Sequence, residues 1–140
     1  MKTLSLCLIA CFASTAAAAQ TLQRVSPLVF GRDPAHFLNQ RIRVDNVGCF
    51  FYPEAGYRCT TYKGLYVVSG EIAPPAIKKT IGDECGGKVE FEDDPGCLFD
   101  LVFTPVAVTK GEGQLIQGDR AVTGQVWMVR TDSITATWRH

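Results

Sequence analysis

Arg41 to Ser69 read RIRVDNVGCFFYPEAGYRCTTYKGLYVVS, and the fold turns on how this stretch is parsed. Arg41-Ile42-Arg43-Val44-Asp45 alternates polar and apolar, the period of two that marks a half-buried strand. The strand runs on through Val47 to Tyr52, with Gly48 expected as a bulge or bend. Pro53-Glu54-Ala55-Gly56 is dense in turn formers, so the chain reverses there and Tyr57 to Lys63 returns as a second strand. Gly64 punctuates it, and Leu65-Tyr66-Val67-Val68-Ser69 follows as a third strand rich in β-formers.

Working outward, one clear helix follows the third strand. Pro75 suits its first turn, Ile77, Ile81 and Cys85 recur every four residues on one face, and Gly86-Gly87 ends it. Lys78 and Lys79 then lie on the outer side. Cys97 to Thr104 is the next strand, with Cys97, Phe99, Leu101 and Phe103 facing one way and Asp100 the other. Pro105 interrupts it, and Val106 to Val108 continue it past a bulge. Lys110-Gly111-Glu112-Gly113 reads as a turn. Val122–Arg130 and Ser133–Trp138 are the last strands, split by Thr131-Asp132. Upstream, Gln20 to Gly31 reads as a loosely attached lead-in, and Asp33-Pro34 opens a short helical turn through Leu38.

The first residues read as an address. Met1-Lys2 is a minimal basic region, Thr3 to Phe12 is apolar, and Ala13 to Ala19 is small-residue rich, ending Ala17-Ala18-Ala19 before Gln20. That is the layout of a cleavable secretory signal over residues 1–19. Cleavage leaves 140 − 19 = 121 residues, the length of one domain over 20–140. Leu8-Ile9-Ala10-Cys11 offers an alternative, a lipobox through which Cys11 would anchor the same domain to lipid. No later stretch is long and apolar enough to span a bilayer. The expected location is periplasmic or secreted.

Cys7 and Cys11 leave with the signal, and Cys49, Cys59, Cys85 and Cys97 remain, an even number for an oxidising compartment. Four cysteines allow three connectivities. Cys49 and Cys59 flank the Pro53–Gly56 turn evenly and face each other across a hairpin, and Cys85 and Cys97 close a second short loop. These two pairs are therefore the expected bonds. A zinc site is disfavoured, since the spacings are not C-x₂-C.

Charge is balanced overall but not along the chain. Gln20 to Lys79 holds eight basic and four acidic residues, whereas Thr80 to His140 holds five and ten, six of those acids between Asp83 and Asp94. A near-neutral exported domain argues against a nucleic-acid partner, which calls for a basic surface.

Three strands, a helix, then two or three strands is the element order of the OB-fold, a five-stranded Greek-key barrel whose helix lies between strands three and four. The stretch from Asp33 to Val44 resembles the approach to strand one in many bacterial OB domains, D-P-x-x-[aromatic or aliphatic]-x-G-K-x-V-x-V, with Asn39 and Gln40 in place of Gly-Lys. The chain thus resembles the small exported OB-like proteins of bacteria. The resemblance implies a mainly β, OB-like barrel with one helix and two disulfides; another small barrel or sandwich with one helix is the alternative. It also implies ligand binding on the face of strands two and three, where aromatics stack. Tyr57, Tyr62 and Tyr66, with Arg58 and Lys63, are the binding candidates, although alternation must send about half of the aromatics inward.

No nucleophile–base pair is evident. The histidines are His36 and the terminal His140, and no G-x-S-x-G, H-E-x-x-H or phosphate loop occurs. Glu90, Glu92, Asp93 and Asp94 are weak metal candidates that lack EF-hand spacing, and a solvated loop is the simpler reading. No cofactor is expected. The expected function is a non-enzymatic binding module of the envelope or secretome, facing a peptide, glycan or protein partner. The alternative is a secreted inhibitor or immunity-type protein acting through the acidic 83–94 loop. A small hydrolase ranks third, for want of a carboxylate pair.

Overall fold

The computed structural model describes residues 21–60, 66–86, 95–117 and 120–139. In chain order these form β1 (Gln23–Val25), α1 (Pro27–Arg32), a 3-10 turn (Pro34–Phe37), β2 (Ile42–Tyr52), β3 (Gly56–Thr60) and β4 (Tyr66–Ala73). There follow α2 (Pro75–Glu84), a 3-10 turn (Pro95–Cys97), β5 (Leu98–Phe103), β6 (Ala107–Gln117) and β7 (Arg120–Trp138). The signal region, the Leu8–Cys11 motif, Tyr62, Lys63, Glu90, Glu92, Asp93, Asp94 and His140 lie outside the described residues.

Five strands close into a barrel. β2 pairs antiparallel with β3, β3 with β4, β4 runs parallel to β7, β7 is antiparallel to β5, and β5 returns to β2. A parallel third and fifth strand, with the first strand pairing both the second and the fourth, is the OB-like Greek-key arrangement. α2 lies between the third and fourth barrel strands. Closure leaves no barrel edge unpaired, which disposes of the main hazard of a small sheet.

Alternation fills the interior. Ile42, Val44 and Val47 from β2, Tyr66, Val68 and Ile72 from β4, Phe99, Leu101 and Phe103 from β5, and Val129, Ile134 and Ala136 from β7 form one core. α2 closes one end with Ile81, which has no exposed surface, and Ile77 packs beside it. Both expected disulfides are present. Cys49–Cys59 crosses the β2–β3 hairpin, and Cys85–Cys97 ties the end of α2 to the start of β5. Each restricts the unfolded chain and should stabilise by roughly 2–4 kcal/mol.

Several details depart from the sequence reading. The lead-in is not loose: Ser26 caps α1 by accepting from the Val29 amide at 3.2 Å, with Pro27 in the first turn. α1 carries Phe30 into the second end of the barrel, where it is fully buried against Phe37, Tyr66 and Phe103. β1 then pairs parallel with β2. The bulge in β2 falls between Val44 and Val47, where Asn46 takes φ 62°, and not at Gly48. Lys110–Gly113 is not a turn but part of β6. The last two strands are one, β7, and the Thr131-Asp132 break survives as a bulge opposite Ser69–Glu71. Asn39 adopts φ 60°, a left-handed conformation open to asparagine as to glycine.

Beyond the barrel, β6 and β7 continue as a two-stranded arm. Pairs from Gly111↔Val126 to Gln117↔Arg120 have no third strand among the described residues.

Candidate functional site

The face expected to bind is the outside of β3 and β4, and register extends it onto β7 and β6. Phe50 on β2 pairs with Arg58 on β3; one step past Cys59↔Val68, Arg58 comes beside Ser69 on β4; Ser69 pairs with Arg130 on β7, and Arg130 with Ala107 on β6. One row across the barrel therefore holds two guanidinium groups with a hydroxyl between them. The Arg58 Nη1 donates to the Tyr57 carbonyl at 2.8 Å, which steadies the side chain without neutralising it. The Ser69 hydroxyl donates to the Val129 carbonyl at 3.5 Å. Arg130 is exposed and has no carboxylate partner among the described residues. Such a row favours anionic groups.

The aromatic candidates fare differently. Tyr66 is fully buried at the start of β4, edge-on to Phe30 with centroids 4.8 Å apart, so it belongs to the core and not to the face. Burial pushes its hydroxyl well above the ordinary tyrosine value. Tyr57 points to the end of the barrel closed by α2. Its hydroxyl lies 3.1 Å from where a β-carbon on Gly82 would be, Phe51 stands 5.0 Å away, and the Lys78 ammonium sits 5.3 Å above its ring. Lys78 also bonds Glu71 at 2.5 Å. Tyr57 is therefore a half-buried anchor for α2, and the absence of a side chain at Gly82 admits it. Of the five candidates, Arg58 alone is placed outward on the expected face by the described residues. Tyr62 and Lys63, and the acidic metal candidates, fall outside them.

Trp127 is half-buried against the core at the base of the arm, with the Lys110 ammonium 4.7 Å over its ring. The alternation of β6 against β7 could have signalled this pair, had Lys110–Gly113 been read as strand.

The opposite side of the barrel carries a charge network. Asp45, at the β2 bulge, accepts from Arg43 Nε at 2.6 Å and from Arg24. Arg43 also reaches Asp100 at 2.9 Å, and the other Asp100 oxygen accepts from the Asn46 amide at 3.1 Å. Burial would raise the Asp45 carboxyl, but the bonds from Arg43 and Arg24 outweigh it and hold the group below its ordinary value. Because Asp100 satisfies the amide freed by the bulge, this network is structural.

Among the described residues no three His, Cys, Asp or Glu side chains gather as a metal site. No described helix is long and apolar enough to cross a membrane. The chain matches no family model, no curated protein and no solved structure.

Proposed function

We propose that the chain is an exported, non-enzymatic binding module that holds an acidic partner of the cell envelope on the outer face of β3, β4 and β7. The observation that carries this is the Arg58–Ser69–Arg130 row. Two cations carried on the strands that flank β4 in a closed barrel stand on a preorganised backbone, so little backbone ordering free energy is lost on binding. The β6–β7 arm stands beside the row, where OB barrels use the loop between their last two strands. The disulfides suit an oxidising compartment, which fits a cleaved signal and a periplasmic or secreted domain, or one tethered through Cys11. Acidic protein segments are preferred to nucleic acid because the exported domain is near neutral overall.

The test uses immobilised residues 20–140 with both disulfides closed, presented with envelope extract. The wild-type chain retains a partner, retention falls with added salt, and Arg58→Ser with Arg130→Ser abolishes it. Equal retention by the double variant overturns the proposal, as does a shift of single-stranded DNA that persists at physiological salt.

A further inference from the structure

A second feature lies on the other side of the barrel. The outward residues of β2, β5 and β7 stand in register: Arg43 pairs with Val102, and Val102 with Thr135. One alternation towards the arm, the same face presents Arg41, Thr104 and Ser133. Here Thr131 and Asp132, at the β7 register irregularity, line a cleft of about 390 Å³. Half-buried Val102 and Val106 supply apolar surface, and Thr104, Ser133 and Thr135 supply hydroxyls, whereas Phe103 and Thr131 are themselves buried, the Thr131 hydroxyl donating to the Ser133 carbonyl at 3.2 Å. The charged residues of the lining are Arg41 and Asp132.

The two charges are what set this cleft apart. The neighbouring arginines are occupied: Arg24 and Arg43 by Asp45, Arg43 and Arg139 by Asp100. Arg41, exposed at the cleft, has no carboxylate within ion-pair distance among the described residues, and it makes no ion pair with Asp132. A free guanidinium is a forked receptor for one carboxylate. Asp132 works against a polyanion, since a second negative charge in the cleft would meet it, but a carboxylate accepts well from neighbouring hydroxyls. Hydroxyl side chains that both donate and accept match a polyol, and the aliphatic surface matches the carbon face of a ring. The volume lies near the lower end of small-molecule sites, roughly 300–1,000 Å³.

We propose that this cleft binds a carboxylate-bearing sugar of the hexuronate kind, with its carboxylate on Arg41, its hydroxyls on Thr104, Ser133 and Asp132, and its ring against Val102 and Val106. The site shares β7 with the Arg58–Arg130 face, but none of its lining residues belongs to the Arg58–Ser69–Arg130 row.

The probe is D-glucuronate titrated into the disulfide-closed domain and followed by amide chemical shifts. Saturable shifts are expected at Thr104, Ser133 and Thr135, with D-glucose, glycine and inorganic phosphate each at least tenfold weaker. Arg41→Gln should lower the glucuronate affinity at least tenfold, and Asp132→Ala several-fold, with the amide spectrum outside the cleft unchanged. No shift at these amides, undiminished binding by both variants, or phosphate or glycine binding as well as glucuronate overturns the proposal. Retention of an envelope partner by Arg41→Gln at the wild-type level separates the failure of this site from failure of the arginine face.

Discussion

Gly70 lies against Thr131: a β-carbon at Gly70 would stand 2.7 Å from the Thr131 carbonyl oxygen and 2.8 Å from its Cγ2. The contact is to backbone at the β7 bulge, so it cannot be relieved by turning a flexible side chain. Gly70 thereby lets β4 and the bulge approach closely. Gly70→Ala is expected to destabilise by about 1–3 kcal/mol, in the range of overpacking substitutions. Urea unfolding measures the loss, and amide shifts should concentrate at Thr131–Ser133. An unchanged midpoint would show that the strands can part without cost.

The Asp45 network carries a pH signature. The carboxyl is held below its ordinary value in the folded chain, so the folded state binds fewer protons there than the unfolded state does. Its contribution is therefore fully present above the ordinary aspartate range and is lost as pH falls through the depressed folded value. Asp45→Asn should cost about 1.5–3 kcal/mol at neutral pH, the scale of hydrogen bonds to a charged group. The difference between wild type and variant should shrink as the pH is lowered below that range. A gap that stays constant down to strongly acidic pH would mean that the ion pairs with Arg24 and Arg43 contribute nothing.

Much of this architecture was legible because it rests on local rules. Strict alternation in Arg41–Val44 and in Leu98–Phe103, the turn at Pro53–Gly56, and the even placement of Cys49 and Cys59 around it lead to the barrel strands and the hairpin bond. What escaped depends on partners remote in sequence. Nothing near Gly111 and Gly113 says that these glycines extend a strand: Val126 and Met128, on the facing strand, fill the space where their side chains would be. The bulge at Asn46 is held by Asp100, 54 residues away. Ser26-Pro27 was a legible helix start, and Phe30 and Phe37 were apolar enough to be core. The candidate site was the least legible, since which tyrosine faces inward is a matter of register and not of residue type.

Phe30 tests whether the N-terminal segment is part of the fold. Its side chain is fully buried between Phe37, Tyr66 and Phe103, so truncation would leave a void bounded by aromatic rings. Phe30→Ala is expected to destabilise by about 3–5 kcal/mol. Thermal or urea unfolding reads the change directly. A loss below about 1 kcal/mol would return residues 20–31 to the status of a detachable lead-in.

Tyr66 separates a core role from a binding role. Its ring is buried without exposed surface, and its hydroxyl has no hydrogen-bond partner among the described residues. A hydroxyl taken from water and left unpaired opposes folding, whereas the ring itself supports it through Phe30. Tyr66→Phe keeps the ring and removes the penalty, so it should raise stability by about 1–2 kcal/mol and leave partner retention unaltered. Tyr66→Ala should instead cost about 3–5 kcal/mol, as for other large buried aromatics. If Tyr66→Phe lowered partner retention while the domain stayed folded, the hydroxyl would belong to a binding site, and its burial beneath Phe30 would have to open when the partner arrives.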